Sequence, residues 1–270
     1  GKTVDIGAPG LNGWLWGLIT LDSMKYNIPA GSSYTRTEMI KKILSFQLPD
    51  DGFNLRFAQG STADPDITAM AIQALAPYYR NSTFNVKDPV DKALDCLSKL
   101  QLDTGDFRSW GTRNSESVSQ IIVSLCSIGV DPQNDSRFIK NGINLLDALF
   151  YYQQEDGGFA HSYESDPSNP SAIPGESDSI ATDQALLALV AVWRQAQGMS
   201  ILYDFRPGSV SAKILTPEES EVSFAGSYEF TEADQQQADA LPKKLSTEND
   251  EEVTALLNKL KMSRDFDGYN

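Results

Sequence analysis

The sequence predicts an all-α chain in which amphipathic outer helices alternate with apolar inner ones. Three observations predict it. A motif recurs: Gln47-Leu-Pro-Asp-Asp-Gly-Phe53, Gln101-Leu-Asp-Thr-Gly-Asp-Phe107 and Gln153-Gln-Glu-Asp-Gly-Gly-Phe159 each set a Gln six residues before a Phe, with starts 54 and 52 residues apart. An amphipathic run precedes each copy, and a run that is apolar nearly all round follows it. Such a period fits one helical hairpin per repeat.

The elements follow in order. Residues 11–23 (LNGWLWGLITLDS) read as a first inner helix. Met39, Ile40, Ile43, Leu44 and Phe46 recur at helical spacing and define an outer helix over 35–47. The Asp/Gly cluster after it stops the helix, because Gly accepts a left-handed cap and Asp favours turns. The next inner helix spans 66–79, rich in Ala and Thr. Val90, Ala93, Leu94 and Leu97 mark an outer helix over 88–101, and Glu116 opens an inner helix over 116–128. Ile143, Leu145, Leu146, Leu149 and Phe150 mark an outer helix over 136–153, before a last inner helix over 180–196. The helical body is expected over 1–204. Pro207, Gly208, Pro217 and Gly226 make 205–229 a linker or small irregular or β segment. Over 230–270, Thr231 with Asp234 resembles a capping arrangement, and Val253, Leu256, Leu257 and Leu260 form an apolar stripe. That stretch is expected to be a two-helix C-terminal appendage.

Composition bounds the function. The 270 residues carry 22 Lys+Arg against 37 Asp+Glu, a formal charge of −15, which argues against nucleic-acid or anionic-membrane partners. No apolar run reaches the roughly 18–20 residues that span a bilayer, so no transmembrane segment is expected. Cys96 and Cys126 sit in apolar helical patterns and read as buried free thiols, although a disulfide between them stays open. The chain opens on Gly1 and shows no signal peptide, so an upstream signal or segment is expected to be missing.

Gln-x-x-Asp-Gly-Gly-Phe followed by a Thr/Ala-rich inner helix resembles the squalene–hopene cyclase and protein prenyltransferase repeat. The likeness rests on residues 63–79, on Asn114-Ser-Glu-Ser117 with Gln120, and on Ala181-Thr-Asp-Gln-Ala185 with Leu202-Tyr-Asp204. The chain is most similar to prenyltransferase/squalene-oxidase-repeat proteins of bacterial cell surfaces, and distantly to the α domain of cobalamin carriers. The resemblance implies a partial α/α toroid of about seven helices over residues 7–204. It also implies an extracellular or cell-surface location. A full toroid of this superfamily has six hairpins, so the open edge is expected to be covered by the C-terminal piece or by self-association.

The resemblance implies chemistry that the residues carry only in part. Asp64-Pro-Asp66 is similar to the Asp-x-Asp-Asp acid motif of class II terpene cyclases, but Ile67 stands in the fourth position. Asp66 therefore reads as a helix N-terminal carboxylate after an Asp64-Pro65 turn. The prenyltransferase zinc site needs Asp, Cys and His ligands; the lone histidine, His161, reads as a loop residue, and no metal or cofactor is expected. Neither Cys lies in the Cys-Gly-Glu-Gln of a thioester. By analogy, the N-terminal ends of the inner helices open at one mouth, where a carrier holds its ligand. The candidate ligand-binding positions there are Asn12, Trp14, Asp66, Thr68, Glu116, Gln120, Thr182 and Gln184, with Trp110 and Tyr163 in the intervening loops. Aromatics beside amides and carboxylates suit a small-molecule or glycan ligand. The bland alternative is that the Gln and Thr side chains satisfy helix termini. The loop 160–178 is long for a compact domain. The expectation is a non-catalytic ligand-binding or adhesion module, with a terpenoid-cyclase-like enzyme or a structural spacer as alternatives.

Overall fold

A computed structural model of the chain describes residues 6–55 and 60–206. The linker and the two-helix appendage expected after residue 204 lie, from 207 on, outside the described residues. Seven α-helices carry the fold: α1 (Leu11–Ser23), α2 (Arg36–Leu44), α3 (Pro65–Leu75), α4 (Lys87–Leu100), α5 (Ser115–Ser127), α6 (Leu145–Phe150) and α7 (Ser179–Ala196). Helices α1, α3, α5 and α7 form the inner layer, with α5 packed between α3 and α7; each outer helix packs on the inner helix before it. This is the alternating array that the repeats predict, and the chain is an all-α, partial α/α toroid.

The repeated motif builds the same turn three times. The backbone N–H groups of Leu48, Leu102 and Gln154 donate to the carbonyls four residues on, Gly52, Asp106 and Gly158. Asp51, Gly105 and Gly157, each four residues after the motif Gln, take a left-handed φ of 69°, 82° and 88°. That is why two of the three are Gly. The Phe then buries its ring and meets the N-cap of the next inner helix. Asp64 N–H donates to Phe53 O, while Phe107 pairs with Asn114 and Phe159 with Asp178 in short antiparallel strands. These strands, β1 (Phe107–Ser109), β2 (Thr112–Asn114), β3 (Phe159–Ala160) and β4 (Ser177–Asp178), lie outside the helical prediction. At Gly52 and Gly158 a Cβ would lie 2.3 Å from Ala63 Cβ and 2.5 Å from Ser177 Oγ, so these two turns need glycine for close approach, while the second copy carries Asp106 there.

The motif Gln is the staple between repeats. Gln47 Nε2 donates to Asp51 O in its own turn and to Pro89 O in α4. Gln101 Nε2 donates to Gly105 O and to Phe138 O. Gln153 is exposed. Its neighbour Gln154 reaches instead to Tyr152 O and Tyr163 Oη.

The inner helices match their predicted bounds closely; the third outer helix does not. Residues 136–138 form a 3-10 turn and α6 begins only at Leu145. Asn141 and Gly142 both take positive φ, 52° and 82°, and turn the chain before Asn144 and Asp147 close a capping box. At the base, Arg36 binds Asp22 and the Leu21 carbonyl, Tyr78 Oη donates to Asp22, and Phe205 N–H donates to Ser23 O. With Trp16 set edge-on to Tyr203 at 5.6 Å, these contacts bring the segment after α7 back against α1.

Candidate functional site

At one end of the array the N-terminal end of α5 meets the 160–178 loop, and that of α3 meets the β1–β2 hairpin. Three of the four inner helices, α3, α5 and α7, start on a side chain whose oxygen accepts from the first turn: Asp64 from Ile67, Asn114 from Ser117, and Asp178 from Ile180 and Ala181. Pro65 suits the first turn of α3, where its missing N–H costs nothing. Asp64 also accepts from Ser109 Oγ at 2.7 Å, which joins α3 to the β1–β2 hairpin.

Asp66 lies one step into α3. Burial, then the neighbouring charge of Asp64 with a smaller push from Glu116, raises its carboxyl to about 7; the nearby Ser117 and Ser109 hydroxyls offset part of this. Its Oδ1 is buried and makes no hydrogen bond, and neither does the fully buried Ser117 Oγ. A carboxyl in this setting holds its proton close to neutrality.

At the start of α5, His161 is held between two carboxylates, Nδ1 to Glu116 Oε1 at 2.7 Å and Nε2 to Asp166 Oδ2 at 2.9 Å. The hydrogen bond to Glu116, against the opposing effect of burial, raises the imidazole to about 9. Burial works against the Asp166 charge, but hydrogen bonds from Ser168 and His161 hold that carboxyl down at about 2. The charged triad pins the start of the long loop to the first turn of α5. Ser115 N–H adds a bond to His161 O, and Ser115 Oγ one to Ala160 O. His161 is the loop residue that the sequence predicts, and with both ring nitrogens bonded to carboxylates it also acts as a clamp.

The other predicted positions divide. Thr68 and Thr182 play one repeated role: each hydroxyl accepts from the N–H of a motif Phe, Phe53 or Phe159, at 2.9 Å and faces the same residue's carbonyl. Gln120 and Gln184 belong to a ladder across the inner layer, in which Gln73 Nε2 donates to Gln120 Oε1 and Gln120 Nε2 to Gln184 Oε1, both at 2.9 Å. The two threonines thus satisfy backbone groups, as the bland alternative has it, whereas Gln120 and Gln184 are bonded to other side chains. Trp14 is buried, edge-on to Tyr34 at 4.8 Å and backed by Gly7, which puts its ring in the core. Asn12 sits in the first turn of α1 with a buried Oδ1 that makes no hydrogen bond.

Trp110 and Tyr163 form an exposed rim. Ser109 pairs with Thr112, so Trp110-Gly111 is a two-residue hairpin turn, with φ of 50° and 93°. Trp110 is 74% exposed and, among the described residues, stacks on no other ring. Arg108 fixes the hairpin by binding the Gly111 carbonyl and gripping both oxygens of Glu164, at 2.8 and 3.0 Å, next to Tyr163. Tyr163 packs on Tyr151 and Tyr152. An open cleft of about 480 Å³ beside it is lined by Gln154, Glu155, Asp156, Glu176 and Ser177. Sequence reasoning missed Asp166, Ser117 and Gln73 as site residues and read Asp64 only as part of a turn. Asp64-Pro65 carried a helix-start signal and Gln73, a lone amide in an apolar helix, a weaker one; the other two gave none.

Among the described residues no group of three or more His, Cys, Asp or Glu side chains could hold a metal ion. Cys96 and Cys126 are free and buried, and burial pushes their thiols up to about 11 and about 12. No described helix is long and apolar enough to cross a membrane.

The stacked hairpins, the motif turns and the acidic N-terminus of α3 define a toroid protein of the terpenoid-cyclase type. The comparison of families agrees: residues 47–201, more than half of the chain, match the squalene-hopene cyclase C-terminal domain, and the chain belongs to that family. None of the curated proteins matches it.

Proposed function

We propose that the chain is a non-catalytic ligand-binding or adhesion module, extracellular or on a cell surface, which uses a cyclase-type scaffold to present an aromatic rim. The observation that carries this reading is Trp110. A bulky residue with positive φ costs free energy, and here the hairpin holds it in solvent with a two-toothed Arg108–Glu164 clamp. A strained, rigidly positioned, exposed aromatic is the kind of residue that binding sites use. Most polar groups of the mouth are meanwhile committed to the fold. The acidic charge of the chain favours a neutral ligand over an anionic one. The test is native mass spectrometry of the full chain mixed separately with cobamides, polyprenyl lipids and neutral oligosaccharides. A stoichiometric adduct with one class, lost in Trp110→Ala, is the expected result. A folded chain that takes none of them would move the reading to a structural spacer.

A second reading, a terpenoid-cyclase-like enzyme, is favoured by one observation: the buried, proton-holding carboxyl of Asp66 beside Asp64. Acid catalysis would have Asp66 donate its proton to an alkene or epoxide. Incubation with squalene and its epoxide, with products separated by chromatography, tests it. A cyclised product that disappears in Asp66→Asn would establish this reading over the first.

A further inference from the structure

We propose that His161 is the residue that positions the Trp110 rim: by pinning the start of the 160–178 loop, it sets Glu164 where that carboxylate grips the hairpin from which Trp110 projects. The inference deepens the reading of Trp110 as the binding residue and rests on it. The links form a closed circuit. Strand β2 runs without a break into α5, so Ser115 and Glu116 lie at the base of the hairpin itself. Glu116 Oε1 holds His161 Nδ1 at 2.7 Å, and Ser115 binds the carbonyls of Ala160 and His161. The chain then leads to Ser162, whose hydroxyl accepts from Glu164 N–H at 2.9 Å and whose carbonyl accepts from Gly175 N–H at 2.8 Å. Glu164 accepts two bonds from Arg108, and Arg108 donates on to the Gly111 carbonyl in the turn. The circuit leaves the hairpin at its base and returns at its tip, beside Trp110.

Burial decides which link governs. The Arg108 and Glu164 side chains are 42% and 40% exposed. A pair this open contributes little when both partners must be ordered to form it, so it restrains the hairpin only if Glu164 is already in place. His161 is the buried link, with charge-assisted bonds on both ring nitrogens. The charged groups around it are Glu116 from α5 and Asp166 from its own loop. Asp66 on α3 is near enough to Glu116 to feel its charge, while on the hairpin Arg113 is committed to Asp106 and Arg108 to Glu164. Among the described residues neither Glu116 nor Asp166 is bonded to another cation, so a neutral side chain at 161 would leave two buried acids unpaired. Loss of the imidazolium, by substitution or as pH rises through about 9, therefore frees the loop start and, through Glu164, the rim.

Hydrogen–deuterium exchange of the full chain, read by mass spectrometry without any ligand, tests this. At pH 7, His161→Gln should speed exchange at least tenfold over 160–166 and 107–113, while α3 and residues 120–127 keep the wild-type rate; a general loss of stability would speed all four. Glu164→Gln, which cuts the circuit beyond the latch, should free 107–113 alone. In the double variant the hairpin should exchange no faster than in His161→Gln, since both changes cut one path. From pH 7 to pH 10, protection over 107–113, corrected for the intrinsic rate, should fall in the wild type and stay level in His161→Gln. The wild-type profile and Glu164→Gln carry the test if His161→Gln fails to fold. Protection over 107–113 indifferent to His161→Gln and to pH would overturn the inference and leave Tyr163, packed on Tyr151 and Tyr152, as the anchor of Glu164. So would an equal loss of protection in α3. A rim that loosens as expected, in a chain that takes no ligand, would uphold the latch and count against the binding reading alone.

Discussion

Helices α5 and α7 are close in composition and opposite in setting. Both read as apolar nearly all round. Every residue of α5, from Ser115 to Ser127, is buried between α3 and α7, whereas α7 buries only four alanines and turns Leu186 and Trp193 to solvent. The same contrast holds for the motif glutamines, since Gln47 and Gln101 are stapled to the next repeat and Gln153 is exposed. Composition therefore records the neighbours that a helix is built to meet, and burial records those it has met. Inside the array the two agree. At the α7 edge they differ.

Substitutions can break or sharpen this contrast. The largest effect is expected in the middle of α5. Ile122 is fully buried, and Ile122→Ala should cost about 2–5 kcal/mol by urea denaturation. Next comes the ladder that joins α3, α5 and α7. Gln120→Ala removes the side-chain partner of the buried Gln73 amide, which keeps only the backbone carbonyl of residue 120, and leaves the Gln184 carbonyl without its donor, at a cost of about 1–3 kcal/mol.

The mouth at the start of α5 should show itself in the pH dependence of stability. His161 is raised from 6.5 to about 9, so its contribution is fully present below pH 6.5 and is lost as pH rises through 9. Asp66 is raised from 3.8 to about 7, so between those values the folded chain holds a proton that the unfolded chain releases, and stability falls as pH rises across that window. Thermal melts from pH 4 to pH 9 should therefore decline in two overlapping stages. His161→Gln should flatten the upper one. Asp66→Asn should flatten the lower one and raise the melting temperature at pH 8. The smallest effect belongs to α7, where Leu186→Ala should change the stability of the monomer by only about 0.5 kcal/mol or less. A cost there close to that of Ile122→Ala would erase the contrast between the two helices.

The inner helices α3, α5 and α7 were legible because each combines a cap, an apolar run and a turn motif within a short window. Asp64-Pro65, Asn114 and Asp178 announce their helices through local chemistry alone. The 136–153 helix was over-read because Phe138 and Ile143 fit its apolar face, while Asn141-Gly142 carried the turn signal that decided the backbone. The site was less legible for a different reason. Nothing local tells that residues 116, 161 and 166 meet, so the sequence places His161 in its loop without showing that it lies buried between two charges. Trp14 shows the reverse error: an aromatic near a helix start looked available to a ligand, yet its ring fills the space left by Gly7. Trp110 was legible as a loop aromatic, but its strained turn and its Arg108–Glu164 clamp are properties of the folded hairpin alone.

The central claim is that this toroid binds through its rim and leaves its ligand unaltered. The most direct test is one titration of the full chain with the ligand class that gives an adduct, run in parallel on wild type, Trp110→Ala and Asp66→Asn, with the ligand recovered and chromatographed afterwards. The account predicts binding by the wild type and Asp66→Asn, loss of binding in Trp110→Ala, and ligand returned unchanged. Recovery of a rearranged ligand from the wild type but not from Asp66→Asn would contradict it.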